Sequence, residues 1–129
     1  MASEIVTSLE YLAARLEDPQ AQIYQYLYRQ HPEVRPLFVL DTDGGVRGAM
    51  LQTTIETILD YAAQDRLDHV SLSAWRSHHV AYEVDPELFT RFFVIIRDCV
   101  KDTLGHQWTA AMDLAWLDLL RQVEASENG

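Results

Sequence analysis

Two adjacent histidines, His78 and His79, are the residues of this chain whose chemistry depends most on where they point. An imidazole can ligate a metal, move a proton, or sit in a core with its nitrogens satisfied by backbone groups. A helix turns by roughly 100° per residue, so neighbouring side chains cannot both face inward. Leu72, Trp75 and His79 stand at i, i+3 and i+7, which sets His79 on an apolar stripe, whereas His78 shares its side with Ser71 and Ala74. His79 is therefore the inward histidine, and its spacing alone fits a core residue as well as a ligand. Arg47 is the next residue of interest, because it falls on the stripe Arg47, Leu51, Ile55, Ile58 and Ala62. A guanidinium keeps its proton at working pH, so Arg47 can donate hydrogen bonds or hold an anion but cannot act as a base. Equally, its stem can lie along the apolar stripe with the head in water. His31, His69 and His106 fall at helix ends or in loops, where solvated side chains are expected.

The elements that must position these residues read as helices throughout. Apolar spacing of three and four recurs along the chain without sustained alternation, and five glycines leave few tight turns. The first helix carries the stripe Leu9, Leu12, Ala13 and Leu16 and ends where Asp18-Pro19 supplies a capping side chain and a first-turn proline. The second carries Ile23, Tyr24, Leu27 and Tyr28 and stops near His31-Pro32, and Pro36 keeps the next element short. Asp41-Thr42-Asp43-Gly44-Gly45 is the clearest loop. After the long Arg47 helix and a polar stretch, Gln64 to His69, a short helix runs from about Leu72 to Tyr82. Asp85-Pro86-Glu87 opens another, with Phe89, Phe92, Phe93, Ile96, Val100 and Leu104 inward and a left-handed close at Gly105. Trp108-Thr109 starts the last, whose inward face is Met112, Ala115, Trp116, Leu119, Leu120 and Val123.

Composition narrows the function classes. A chain of 129 residues suits one domain, with a core over about residues 5–125 and a polar tail at 126–129. The hydrophobic share of 48% is ordinary for a globular protein, and no apolar run is long enough to span a membrane. The start lacks the basic and apolar regions of a secretory signal, which points to the cytoplasm. A formal net charge of −10 without a basic cluster opposes nucleic acid and anionic lipid as partners. The single cysteine, Cys99, rules out an internal disulfide and a Cys-x-x-Cys metal or attachment motif.

Three separated segments resemble the globin family, in particular bacterial single-domain haemoglobins and the globin domain of flavohaemoglobins. His31-Pro32-Glu33-Val34-Arg35-Pro36-Leu37-Phe38 looks like the end of the family's second helix and the corner after it. His79-Val80-Ala81-Tyr82-Glu83-Val84 is similar to the proximal histidine followed five residues later by valine, with Glu83 where the family usually has glycine. Leu104-Gly105-His106-Gln107-Trp108-Thr109 and Ala115-Trp116 resemble the family's last two helices. The resemblance spans roughly residues 5 to 125 and implies an all-α globin fold of about six to eight helices around a haem pocket.

On that resemblance His79 is the axial ligand of the iron and Phe38 the wedge against the porphyrin, with Val84 and Leu51 lining the pocket. A neutral imidazole leaves the opposite axial position open to a diatomic ligand. The haem would be haem b, held non-covalently since Cys99 stands alone. Tyr24 matches a tyrosine that bacterial globins place over the distal face, where a phenolic donor favours dioxygen over carbon monoxide. The bland alternative is an aromatic core residue whose hydroxyl reaches a carbonyl. Tyr26 and Tyr28 are poorer candidates for that place. The usual distal histidine or glutamine is replaced by Arg47, with Gly48, Leu51 and Ile55 in register, whereas a shift by one would put Val46 there. Arg47 would donate to a bound gas, clamp a propionate or hold an anion. Leu120 stands where flavohaemoglobins carry a tyrosine, which argues against peroxidase-like chemistry. The expected function is reversible binding of dioxygen, carbon monoxide or nitric oxide by a monomer or weak homodimer. Nitric oxide dioxygenation with an external reductase, or a sensor module of the same fold, are the alternatives.

Overall fold

The computed structural model describes residues 3–81 and 86–126, except the side chains of 71, 76, 78–81 and 86. Among the described residues there are six α-helices, two 3-10 segments and no strand. The α-helices are α1 (Ser3–Arg15), α2 (Pro19–Gln30), α3 (Gly45–Gln64), α4 (His69–Ala81), α5 (Pro86–Leu104) and α6 (Ala110–Ala125). The 3-10 segments, Pro32–Phe38 and Gly105–Gln107, link α2 to the loop before α3 and α5 to α6.

The boundaries follow from local chemistry. Asp18 caps α2 by accepting from the Ala21 N–H at 3.1 Å, and Pro19 occupies the first turn, where its missing N–H costs nothing. Thr109 caps α6 in the same way, accepting from Met112 N–H at 3.1 Å. Gly105, with φ of 56°, closes α5 in the left-handed conformation its sequence position predicts.

Helix α5 lies at the centre, packed by α1, α2, α4 and α6. Its inward face matches the expected one, with Phe93, Ile96, Val100 and Leu104 wholly buried, and Ile95 and Cys99 join them. All six inward residues expected of α6 are buried as well. Trp116 donates its indole N–H to Ser8 Oγ at 2.9 Å, and Ser8 donates to the Ile5 carbonyl at 2.7 Å, so the polar atoms at this α1–α6 crossing are paired.

Two stripes are rotated from their expected positions. In α1 the buried residues are Ile5, Ser8 and Leu12, while Leu9 and Leu16 are half-buried and Ala13 is exposed. The reason is Ser8, a polar residue that can face inward because its hydroxyl has two partners there. In α3 the buried residues are Thr54, Ile58 and Tyr61, while Leu51, Ile55 and Ala62 lie to one side, only partly buried. Thr54 satisfies its own hydroxyl on the Met50 carbonyl at 2.8 Å, and Tyr61 donates to Asp118 of α6, which lets both polar side chains take core positions.

Candidate functional site

Of the residues expected at the site, Tyr24, Phe38 and Arg47 come together where α2, the turn 32–38 and the start of α3 meet. Tyr24 is only 2% exposed, and its hydroxyl donates to the carbonyl of Arg47 at 2.9 Å. Its ring meets Phe38 edge-on at 5.7 Å and Phe92 of α5 at 5.6 Å, so three elements fix its orientation. Burial, and then the neighbouring Tyr28, push the Tyr24 hydroxyl well above its ordinary pKa, which keeps it a donor at any working pH. Tyr28 lies 6.4 Å from Phe38 at the rim of this cluster. Tyr26 points elsewhere and donates to Asp102 at 3.0 Å.

Arg47 is paired rather than free. Its Nε donates to Asp41 Oδ2 at 2.9 Å, one terminal nitrogen to the Asp41 carbonyl at 2.7 Å, and the other to Tyr28 Oη at 3.3 Å. Its head is held in an ion pair with Asp41, with the Arg47 side chain 27% exposed. The bond to Asp41, then that to Tyr28, raise the guanidinium pKa further.

Asp41 is the residue that sequence reasoning missed. Its neighbours place it in a loop, yet it is buried, and its carboxylate also accepts from the backbone N–H of Val46 at 3.0 Å and of Arg47 at 2.9 Å. Those are donors in the first turn of α3, which contains no acidic residue of its own. Burial alone would raise the Asp41 carboxyl, but the bonds from Arg47 and Val46 outweigh it and lower it to about 2. Gly44 precedes the helix with φ of 75°, which lets the chain turn back so that Asp41 reaches the helix start. The usable signal is a carboxylate a few residues before a glycine-rich helix start that lacks a capping side chain.

Leu51 and Ile55 lie on the partly covered side of α3, and α3 packs mainly on α1 whereas α4 packs mainly on α5. Among the described residues these two helices make no extensive contact with each other. The aromatic cluster of Tyr24, Phe38 and Phe92 and the partly buried Leu51 and Ile55 are side chains of the kind that fit a flat, mostly apolar group such as haem. In α4, Leu72 is buried and Trp75 half-buried, with its ring 4.8 Å from Phe89, while Ala74 and Ser77 are exposed. The helix thus has the inner and outer faces that the spacing predicts. The backbones of His78 and His79 belong to the last turn of α4, but their side chains, and all of Val84 and Glu83, lie outside the described residues.

His69 and His106 are exposed, as expected of them, while His31 is half-buried and 3.1 Å from Glu33. Leu120 is buried in the α6 face. Cys99 is buried, and that burial pushes its thiol up to about 11, so it behaves as an inert core residue. No helix among the described residues is long and apolar enough to cross a membrane.

A family model described as Globin matches residues 21–126, from the first turn of α2 to the end of α6. No curated protein and no solved structure matches the chain.

Proposed function

The chain belongs to the globin family, a family of haem-binding proteins, and from that premise we propose that it holds haem b non-covalently through His79 and reversibly binds dioxygen or a related diatomic gas. In this reading the protein is a cytoplasmic haemoglobin of the bacterial kind. Haem iron supplies the affinity for a diatomic ligand when the group is bound. The observation that carries the reading is the buried donor Tyr24, whose hydroxyl meets the Arg47 carbonyl one helical turn before the partly buried Leu51.

The chain's own residues have separable tasks. His79 stands one helical turn beyond Trp75 in the sequence, and on that spacing and the family resemblance its imidazole is the one the proposal assigns to the iron. Phe38 and Leu51 provide apolar contact for the macrocycle and exclude water, and Val84 is assigned the same role from the resemblance. Tyr24 provides the hydrogen-bond donor, with the Arg47 carbonyl as its resting acceptor.

An absorption spectrum tests the reading. Purified protein supplied with haem and reduced is expected to show a ferrous spectrum that changes on adding carbon monoxide. His79→Ala should lose the haem or its axial ligand, and His78→Ala should leave the spectrum intact. Failure of the wild-type protein to retain haem sinks the proposal, and the opposite behaviour of the two variants moves the ligand to His78.

A further inference from the structure

We propose that Asp41 is a positioning residue that fixes and neutralises the charge of Arg47 beside the face served by Tyr24, and so makes the site selective for neutral gases over anions. The proposal rests on the gas-binding reading above.

Its basis is the number of bonds that one residue makes to another. Asp41 receives the backbone N–H, Nε and one terminal nitrogen of Arg47, and Tyr28 takes the other terminal nitrogen. Every nitrogen of residue 47 therefore has an acceptor, while its carbonyl is the group that meets the Tyr24 hydroxyl. Arg47 occupies the first turn of α3, where the helix dipole disfavours a cation. The carboxylate of Asp41 cancels that cost and fixes the direction of the side chain at the same time. Without it the guanidinium keeps its charge, loses its one charged acceptor while the residue-41 carbonyl and Tyr28 remain, and sits on the same helix turn as the carbonyl that Tyr24 touches. A mobile cation at that position attracts an anion and does little for a neutral diatomic molecule.

A capping role alone is the competing explanation, and Asp41→Asn separates the two. Asparagine retains an oxygen that can accept from a backbone N–H at the helix start but has no charge to hold the guanidinium. Fluoride is the probe for the ferric, haem-loaded full chain, read from the absorption spectrum. Its affinity is expected to rise about tenfold in Asp41→Asn and to return to the wild-type level in the double variant Asp41→Asn/Arg47→Leu. Carbon monoxide affinity of the reduced Asp41→Asn protein should change by less than about twofold, since a neutral ligand has little charge for Arg47 to meet. Unchanged fluoride affinity in Asp41→Asn overturns the proposal, as does a rise that persists after Arg47 is removed.

A measurement that needs no haem covers the tether itself. Exchange of the Arg47 side-chain Nε–H, which Asp41 Oδ2 accepts at 2.9 Å, should accelerate in the full-chain Asp41→Ala variant, and unchanged exchange overturns the proposal. Should the protein hold no haem while this acceleration is seen, the gas-binding reading fails and the selectivity falls with it, but the tether stands.

Discussion

Replacing Tyr24 by phenylalanine removes one hydroxyl that has a defined partner in the free protein and a proposed one in the ligated protein. In the free protein the hydroxyl donates to the Arg47 carbonyl at 2.9 Å from a side chain that is 2% exposed. That carbonyl is also the acceptor for the N–H one helical turn on, so it is not orphaned when the phenol goes, and the variant should lose only about 1 kcal/mol of stability. In the ligated protein the hydroxyl would serve a gas carrying partial negative charge, a bond worth about 1.5–3 kcal/mol. Since the carbonyl bond must be surrendered to make it, the net gain on ligation is about 0.5–2 kcal/mol, which corresponds to oxygen release about 2- to 30-fold faster in the variant. Stopped-flow displacement of oxygen by carbon monoxide measures the rate, and a denaturant melt measures the stability. Because burial, reinforced by Tyr28, keeps the hydroxyl protonated, the rate ratio should be flat across neutral pH. A loss of stability with no change in oxygen release refutes the reasoning, for it leaves the carbonyl as the sole partner and makes Tyr24 a core residue. A change in release without loss of stability refutes the other half, the resting bond.

Further expectations concern the frame around that hydroxyl. Gly44→Ala places a side chain at φ of 75° and should destabilise the protein by about 1–2 kcal/mol, read as a lower denaturation midpoint. Trp116→Phe leaves a void at a fully buried position and takes the indole N–H from Ser8, and should cost about 1–3 kcal/mol in the same melt. The Asp41 carboxyl is lowered in the folded state from 3.8 to about 2, so its contribution is complete above pH 3.8 and disappears as the pH falls through about 2. Acid unfolding curves of the wild type and Asp41→Asn should therefore converge toward low pH. Curves that remain parallel through that window contradict the assignment.

The parts of the fold legible in the sequence are those where apolar side chains alone decide the outcome. Helices α5 and α6 bury the residues that spacing selects, and the α2 cap at Asp18 and the close of α5 at Gly105 follow from single residues. The stripes of α1 and α3 differ in rotation from their spacing because Ser8, Thr54 and Tyr61 occupy inner positions, and a polar residue reads as outward until its partner is known. Two of those partners, Trp116 and Asp118, lie on α6, far along the chain. The site divides along the same line. Tyr24 and Phe38 stand out by pattern and resemblance, and the structure sets their rings against each other. Asp41 escapes notice because a short acidic residue in a glycine-rich loop has many ordinary explanations, and only the folded chain shows its oxygens on the α3 start. His79 is selected by face and by resemblance, and its side chain lies outside the described residues, while Leu72 and Trp75 of the same helix are buried and half-buried.

Helix α3 is fastened at both ends and loosely covered between them. Asp41 holds its first turn, and near its far end Tyr61 donates to Asp118 while Gln122 accepts from the N–H of Leu67 just beyond the helix. Ends held in this way resist the fraying that helix termini ordinarily show, and between them Thr54 and Ile58 are buried while Leu51 and Ile55 are only partly so. On the proposed gas-binding reading, passage of a small molecule past α3 would depend on rotation of these two side chains rather than on the far slower displacement of the helix.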